Sequence, residues 1–329
     1  MKFLNQAGFA PLLIVATLAT LSLLVVLAKN QNLLGIPVST ITPTAVPKPF
    51  SSSSPSPTPT PTPTPSPTSK PTPSILPSTV PTAKPTSTQA PVTVNNTPPG
   101  SGYSRQTVSV EGQNYTLDIV AADLNSTKVI VDTASDADCS NNCPVMPLGD
   151  YVGRNGAFAG INGSYFCPAE YPSCAGKTNS FDTLLMNKNK HYFNSDNNVY
   201  STVPAAIFSP GSARFVRQSL EWGRDTGVDS VIANYPLLVA GGNINFTEAP
   251  NEPKFGGKAS RTFIAYKGSS VYIGIVRSAS MGESAKVLHA LGMGEAMNLD
   301  QGGSTALWYG GYKAGPGRNI PNAILFVNR

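Results

Sequence analysis

The sequence predicts an α+β fold: a head domain dominated by mixed β-sheet, with few helices, set behind a single transmembrane helix and a disordered Pro/Thr/Ser linker. Three observations carry that reading. Nineteen of the 31 prolines fall between Pro37 and Pro99, apolar runs of strand length recur from residue 106 onward, and helix start and stop signals are few. A block of Pro, Thr and Ser buries too little apolar surface to form a core. The expected organisation is therefore an anchor at 1–36, a linker at 37–100 and a folded head at 101–329.

Residues 8–28 contain no charged side chain and consist mostly of Leu, Val, Ile and Ala. As a helix they would measure about 31 Å, enough to cross a bilayer. A cleaved signal peptide is the alternative, but its apolar region usually runs to about 7–15 residues before a small-x-small site. Here the longer run ends in Leu27-Ala28-Lys29-Asn30. We expect an uncleaved, single-pass signal anchor in the cell membrane with the C-terminal domain extracytoplasmic. Pro and Thr then nearly alternate between Pro55 and Pro67, which favours polyproline II at about 3.1 Å per residue and makes the linker a stalk.

The net charge of +5 does not imply a nucleic-acid partner. Five lysines and no acids precede residue 101, which leaves 18 basic and 18 acidic residues in the head. A neutral head lacks the electrostatic footprint of a DNA or RNA binder. The four cysteines, Cys139, Cys143, Cys167 and Cys174, sit in Gly/Pro/Asn/Ser-rich loop sequence. They allow three pairings, of which the local pairs Cys139 with Cys143 and Cys167 with Cys174 are expected. A four-thiolate zinc site is the rival, but its ligand pairs are usually spaced by about two to four residues, which only the first pair satisfies.

Within the head, residues 106–110 and 115–121 alternate in polarity about Glu111-Gly112-Gln113, the pattern of a β-hairpin. A second hairpin is expected from 262–266 and 271–276. Further short strands are expected at 128–132, 157–161, 205–208, 213–216, 237–240, 296–299 and 323–327. Ser280-Met281-Gly282-Glu283 is a capping box, followed by Ser284, Val287, Leu288 and Leu291 on one face and stopped at Gly292. Glu283 is thereby expected to be a reciprocal cap rather than a catalytic acid. His289 falls on the solvated stripe of this helix and His191 in a polar loop. With no other histidine in the chain, Ser-His-Asp and Cys-His hydrolases are poor fits.

Three strand-edge segments can carry chemistry. In Gly160-Ile161-Asn162-Gly163-Ser164-Tyr165-Phe166 a polar Asn162 follows a buried-type strand and small residues permit close backbone approach; a plain Gly-Ser turn is the structural alternative. In Ser260-Arg261-Thr262-Phe263 a guanidinium opens an apolar strand, where it must serve an internal carboxylate or await a ligand anion. In Met297-Asn298-Leu299-Asp300-Gln301-Gly302-Gly303-Ser304-Thr305 a carboxylate ends a strand and is followed by glycines and hydroxyls. Successive N–H groups in such a turn can form an anion-binding nest.

Together these segments resemble the phosphodiester glycosidase family. Its members carry an Asn-Gly-Gly-Phe-Phe-like segment, an Arg-Thr strand start and a closing Asn-Leu-Asp-Gly-Gly-Gly-Ser-Ser signature. The chain is similar to them at residues 162–166, at Arg261-Thr262 and at residues 298–305. Two further segments match, Arg318-Asn319-Ile320-Pro321-Asn322 and Tyr235-Pro236-Leu237-Leu238-Val239-Ala240-Gly241-Gly242. Ser164 and Tyr165 stand where Gly and Phe are usual, and Gln301 replaces the first Gly after the aspartate.

The resemblance implies a hydrolase for sugar-1-phosphodiester bonds, N-acetylglucosamine-1-phosphate linkages being one form, in surface or cell-envelope glycans. Breaking such a C1–O bond passes through an oxocarbenium-like state with a good leaving group. One carboxylate and an anion clamp suffice where ordinary glycosides need two carboxylates. The expected division is Asp300 as base or nucleophile, Asn162 as sugar hydroxyl partner, and Arg261 with the Gly302-Gly303-Ser304 backbone as phosphate clamp, flanked by Thr262 and Gln301. Glu170, Asp182 and Glu295 are the candidates for a second carboxylate. Asp132, Asp136 and Asp138 offer oxygen ligands of the kind Ca²⁺ takes, without the spacing of an EF-hand. The rival reading is a non-catalytic, glycan- or wall-binding head on a stalk.

Overall fold

The computed structural model describes residues 92–194, 202–248 and 253–329. The expected anchor and almost all of the expected linker lie outside them. Among the described residues no helix is long and apolar enough to cross a membrane.

The chain enters through a long hairpin, β1 (Gly102–Val110) and β2 (Gln113–Asp123), then β3 (Thr127–Thr133), helix α1 (Leu148–Asn155) and β4 (Ala159–Asn162). Short strands β5 (Leu185–Met186) and β6 (Tyr192–Phe193) precede β7 (Ala205–Ser209), β8 (Ser212–Val216) and β9 (Ser230–Ala233). Next come β10 (Leu237–Ala240), β11 (Asn243–Ile244), the single-turn helix α2 (Pro253–Gly256), and the hairpin β12 (Ala259–Lys267) and β13 (Ser270–Ala279). Helix α3 (Met281–Ala290), β14 (Glu295–Asn298), β15 (Leu307–Tyr309), β16 (Tyr312–Ala314) and β17 (Asn322–Asn328) complete the fold.

These strands form a seven-stranded sheet, β1-β2-β13-β12-β14-β10-β11, and two five-stranded sheets, β16-β15-β4-β17-β3 and β6-β5-β9-β7-β8. Every pairing between these strands is antiparallel, so the expected mixture of directions is corrected. Parallel neighbours require long crossovers, usually helical, and the described residues have few helices to supply them. Both expected hairpins form. The first turns on Glu111 and Gly112, both at positive φ (52° and 79°), as a two-residue turn with the twist of its flanking strands demands.

Side-chain alternation explains the layering. On β17, Ile324 and Phe326 point into a central core with Val129 and Val131 of β3, while Ala323 and Leu325 face Leu148, Tyr151 and Val152 of α1. On the seven-stranded sheet Ile264 and Ile273 join the central core, whereas Phe263, Ala265 and Tyr272 pack beneath Met281, Ala285 and Leu288 of α3. The third sheet contributes Ala206, Phe208 and Ile232 inward. Strands buried on both faces read as near-continuous apolar runs, which is why most were visible in sequence.

The capping box of α3 is present: Ser280 Oγ accepts from Glu283 N at 3.1 Å and Glu283 Oε2 accepts from Ser280 N at 2.7 Å. Glu283 is also ion-paired with Lys258. Helix α1 has no such signal, since Pro147 caps it without a side-chain hydrogen bond and Gly149 and Gly153 lower its intrinsic propensity. Its amphipathic packing on β17 overrides that cost. Both local disulfides form, Cys139 with Cys143 and Cys167 with Cys174, with Cα atoms 5.6 and 5.3 Å apart.

Candidate active site

The three segments singled out in the sequence converge at the edge where the seven-stranded sheet meets the β4/β17 sheet. Asp300 follows β14, Arg261 and Thr262 lie on β12, and Asn162 ends β4. The Asp300 backbone is their meeting point. Its N–H donates to the Gly163 carbonyl at 2.9 Å. Its carbonyl accepts from Asn162 Nδ2 at 2.6 Å and from the Thr262 hydroxyl. One turn, fixed by two sheets, therefore aims the Asp300 side chain.

Four buried asparagines stiffen this junction. Asn162 Oδ1 accepts from Ala306 N at 3.1 Å, Asn322 Oδ1 from Ser164 N at 3.0 Å, and Asn234 Oδ1 from Tyr165 N at 3.0 Å. Asn298 Nδ2 donates to Tyr165 Oη at 2.8 Å and to the Tyr235 carbonyl at 3.0 Å. Asn162 is fully buried with both ends of its amide engaged. One N–H and the carbonyl oxygen of its amide thus hold the Asp300 loop, at the position where a sugar hydroxyl partner was expected. A Cβ at Gly163 would overlap the Asn322 amide, so glycine is required there for close packing rather than for a ligand.

Asp300 lies at the base of a cleft of about 560 Å³. Lys254, Lys258, Arg261 and Arg318 line it against two carboxylates, Asp182 and Asp300, so the basin is positive although the head as a whole is neutral. The loop closed by the Cys167–Cys174 disulfide forms one wall. Burial pushes the Asp300 carboxyl up to about 6, against the opposing effects of the Ser304 hydroxyl, the Gln301 N–H and the Arg318 charge. The Gln301 N–H donates to Asp300 Oδ1 at 2.8 Å. A carboxylate so placed is ionised at neutral pH yet more basic than an exposed one.

The two arginines differ sharply. Arg261 is buried, 2 % exposed, and its guanidinium donates to the Ala279 carbonyl at 3.0 Å, to the Phe255 carbonyl at 3.1 Å, to the Gly257 carbonyl and to Gln301 Oε1 at 2.6 Å. Four acceptors account for most of its five N–H groups, and its closest effect on the cleft is to orient the Gln301 amide. Arg318 donates to Glu170 Oε2 at 3.3 Å, its buried Nε has no acceptor among the described residues, and it stacks 5.4 Å from the Tyr171 ring centre.

The remaining expected residues are placed as follows. Gly302 and Ser304 line the cleft, whereas Gly303 packs against the Arg318 guanidinium, which a Cβ there would overlap. Thr262 is fully buried. Of the three candidate second carboxylates only Asp182 lines the cleft with Asp300; partial burial raises its carboxyl, opposed by Lys177 and Lys254. Glu170 stands at the rim with Arg318, and Glu295 accepts from Gly241 N at 2.9 Å at the far end of β14.

Among the described residues no three acidic, His or Cys side chains converge as a metal site. Asp132 is instead held by Arg154 at 2.7 Å and Lys188 at 3.3 Å. His191 Nδ1 contacts the Asp136 carbonyl at 2.7 Å, and neither histidine lines the cleft. Tyr165 stood in a singled-out segment without a role of its own, and Lys254 and Asn234 escaped sequence reading, since nothing local marks them. The cleft side of Lys254 arises from α2, where its ammonium donates to Tyr235 Oη at 3.1 Å and lies 5.0 Å from the Tyr165 and Tyr235 ring centres.

A family model described as phosphodiester glycosidase matches residues 155–327, which contains all the converging segments. No curated protein matches the sequence. Among solved structures, the fold is similar to the zebrafish N-acetylglucosamine-1-phosphodiester alpha-N-acetylglucosaminidase catalytic domain, auto-inhibited by pro-peptide. That match has a TM-score of 0.56 and 16 % identity, and covers 72 % of this chain and 87 % of that one. A hypothetical protein from Synechocystis matches at a TM-score of 0.49 and 13 % identity, over 69 % of this chain and 62 % of the Synechocystis chain.

Proposed function

The chain belongs to the phosphodiester glycosidase family, and from that premise we propose that its head hydrolyses a sugar-1-phosphodiester bond in surface or wall glycans. The observation that carries this reading is the convergence of residues 162–166, 261–262 and 298–305 on one carboxylate at the base of a cleft lined by four basic side chains. In the proposed step the C1–O bond breaks with its electron pair leaving on the phosphate oxygen. Water supplies the new C1 hydroxyl. Asp300 takes the water proton directly as base, or forms the C1–O bond first as nucleophile and is then released by water. A carboxyl near 6 suits either role at neutral pH.

The cleft cations stabilise negative charge where it develops, on the departing phosphate. Asp182 is the second carboxylate within the same basin and the candidate to steer the water or the leaving group. N-acetylglucosamine-1-phosphate linkages are the first substrate form to try, with Gln301 beside Asp300 as the side chain set to select among sugars. The full chain, with residues 8–28 in the membrane and the Pro/Thr/Ser block as a stalk, would place this head on an extracytoplasmic glycan.

The test is a panel of sugar-1-phosphodiesters, nucleotide sugars and N-acetylglucosamine-1-phospho-methylmannoside among them, incubated with the purified protein while free sugar is followed. Release from one class of compound identifies the sugar. Saturable binding across the panel with no release at any pH from 4 to 8 would replace the enzyme by a glycan-binding head.

A further inference from the structure

Within that proposed reaction we infer that Arg318, and not Arg261, receives the phosphate, while Arg261 is a positioning residue acting through Gln301. The inference rests on the donor accounts of the two guanidiniums. Arg261 spends its N–H groups on three backbone carbonyls and the Gln301 amide oxygen. A phosphate oxygen approaching it would have to displace one of them. Among the described residues Arg318 makes a single side-chain hydrogen bond, at 3.3 Å to Glu170 at the rim, and its buried Nε finds no acceptor. An unpaired buried donor is costly, so this guanidinium is not fully satisfied by the protein, and the 19 % of the side chain that stays exposed is where an anion can reach it.

The surroundings of Arg318 hold it for that role. Its backbone N–H donates to the Gly303 carbonyl at 2.8 Å, tying it to the turn that follows Asp300. Its guanidinium lies on Gly303, where a side chain would overlap it, and against Tyr171 of the disulfide-closed loop. The planar guanidinium is suited to a phosphate's paired oxygens. It lines the cleft and its charge acts on the Asp300 carboxyl, so an anion on Arg318 would sit beside the reacting carboxylate. Occupation by phosphate would also cancel the positive charge that acidifies Asp300, making it more basic as the leaving group binds.

The experiment measures inorganic phosphate binding by titration calorimetry and, separately, sugar release from N-acetylglucosamine-1-phospho-methylmannoside with inorganic phosphate as inhibitor. The full-length wild type, R318Q, R318K, G303A and R261K are compared, each checked by its melting transition. The expected result is a loss of phosphate affinity of about tenfold or more in R318Q, a smaller loss in R318K, and a loss in G303A with the charge still present. R261K should keep phosphate affinity within about twofold while kcat falls and KM holds, the pattern of a misplaced catalytic group. Wild-type phosphate affinity in R318Q, a larger loss in R261K than in R318Q, or no phosphate binding by the wild type would each overturn the assignment. Phosphate binding that needs Arg318, without sugar release by the wild type from any compound of the panel, would defeat the hydrolase reading and leave the anion site standing.

Discussion

Asp118 and Asp300 are both enclosed carboxylates served by the seven-stranded sheet, yet their surroundings differ in kind. Asp118, on β2, is fully buried and accepts from Tyr103 Oη at 2.7 Å, Arg105 Nε at 2.7 Å and Nη2 at 3.2 Å, and Arg277 Nε at 2.5 Å. Burial alone would raise its carboxyl, but these hydrogen bonds outweigh it and hold the group below the ordinary carboxylate range. At Asp300 burial wins instead, because the Ser304 hydroxyl, one N–H and a more distant Arg318 do not offset it. A saturated carboxylate is a structural clamp, whereas one left short of donors keeps the basicity that chemistry needs.

The comparison is broken most severely by removing the clamp. Asp118→Asn leaves two arginines facing a neutral amide and should cost about 3 kcal/mol, read as a lower urea midpoint at neutral pH. Sugar release per folded molecule should stay within about twofold of wild type. Because the folded carboxyl is depressed, its stabilisation is present above the unfolded pKa and is lost as pH falls through the folded one. The penalty of the substitution should therefore shrink in acid.

Opening the cleft wall comes next. Replacing Cys167 and Cys174 by serine releases a short loop and should cost about 2 kcal/mol by loop-closure entropy. It should also raise KM several-fold, since the loop carries Tyr171 and Glu170 against Arg318. A fall in melting temperature with unchanged KM would separate the disulfide from the cleft.

The smallest effect has the opposite sign. Asp300 is raised in the folded state, so it favours folding below its unfolded pKa, and that contribution is lost as pH rises through about 6. Asp300→Asn should then stabilise the protein at pH 7 by roughly 1–2 kcal/mol, with the gain disappearing near pH 4. Denaturant melts at the two pH values read the difference. Equal stability of variant and wild type at both would mean that Asp300 carries no such strain.

Much of this arrangement was legible in the sequence, for identifiable reasons. Strand positions follow from apolar runs and the hairpins from their turns, because both are local. Asp300, Gln301 and Gly302 were found because a strand end, a carboxylate and glycines are contiguous. The direction of the pairings and helix α1 were not legible, since α1 is held by β17 rather than by its own caps. Asn162 and Arg261 were singled out in the sequence, but the buried partners of their polar groups were not. Whether a buried polar group is spent or available depends on partners such as Ala306, Ala279 and Gly257, which no local pattern announces. For the same reason Arg318 stood in a matching segment without a role, and Asp118 went unremarked.

The most direct test of the central claim is free-sugar release from N-acetylglucosamine-1-phospho-methylmannoside, or the best compound of the panel, by wild type and Asp300→Asn from pH 4 to 8. The account predicts that wild-type kcat/KM climbs through about pH 6 to a plateau. The asparagine variant, though folded and no less stable at pH 7, should fall by a factor on the order of 10³. Comparable release by the two proteins, or a wild-type rate that declines as pH rises through 6, would contradict Asp300 as the base or nucleophile of this site.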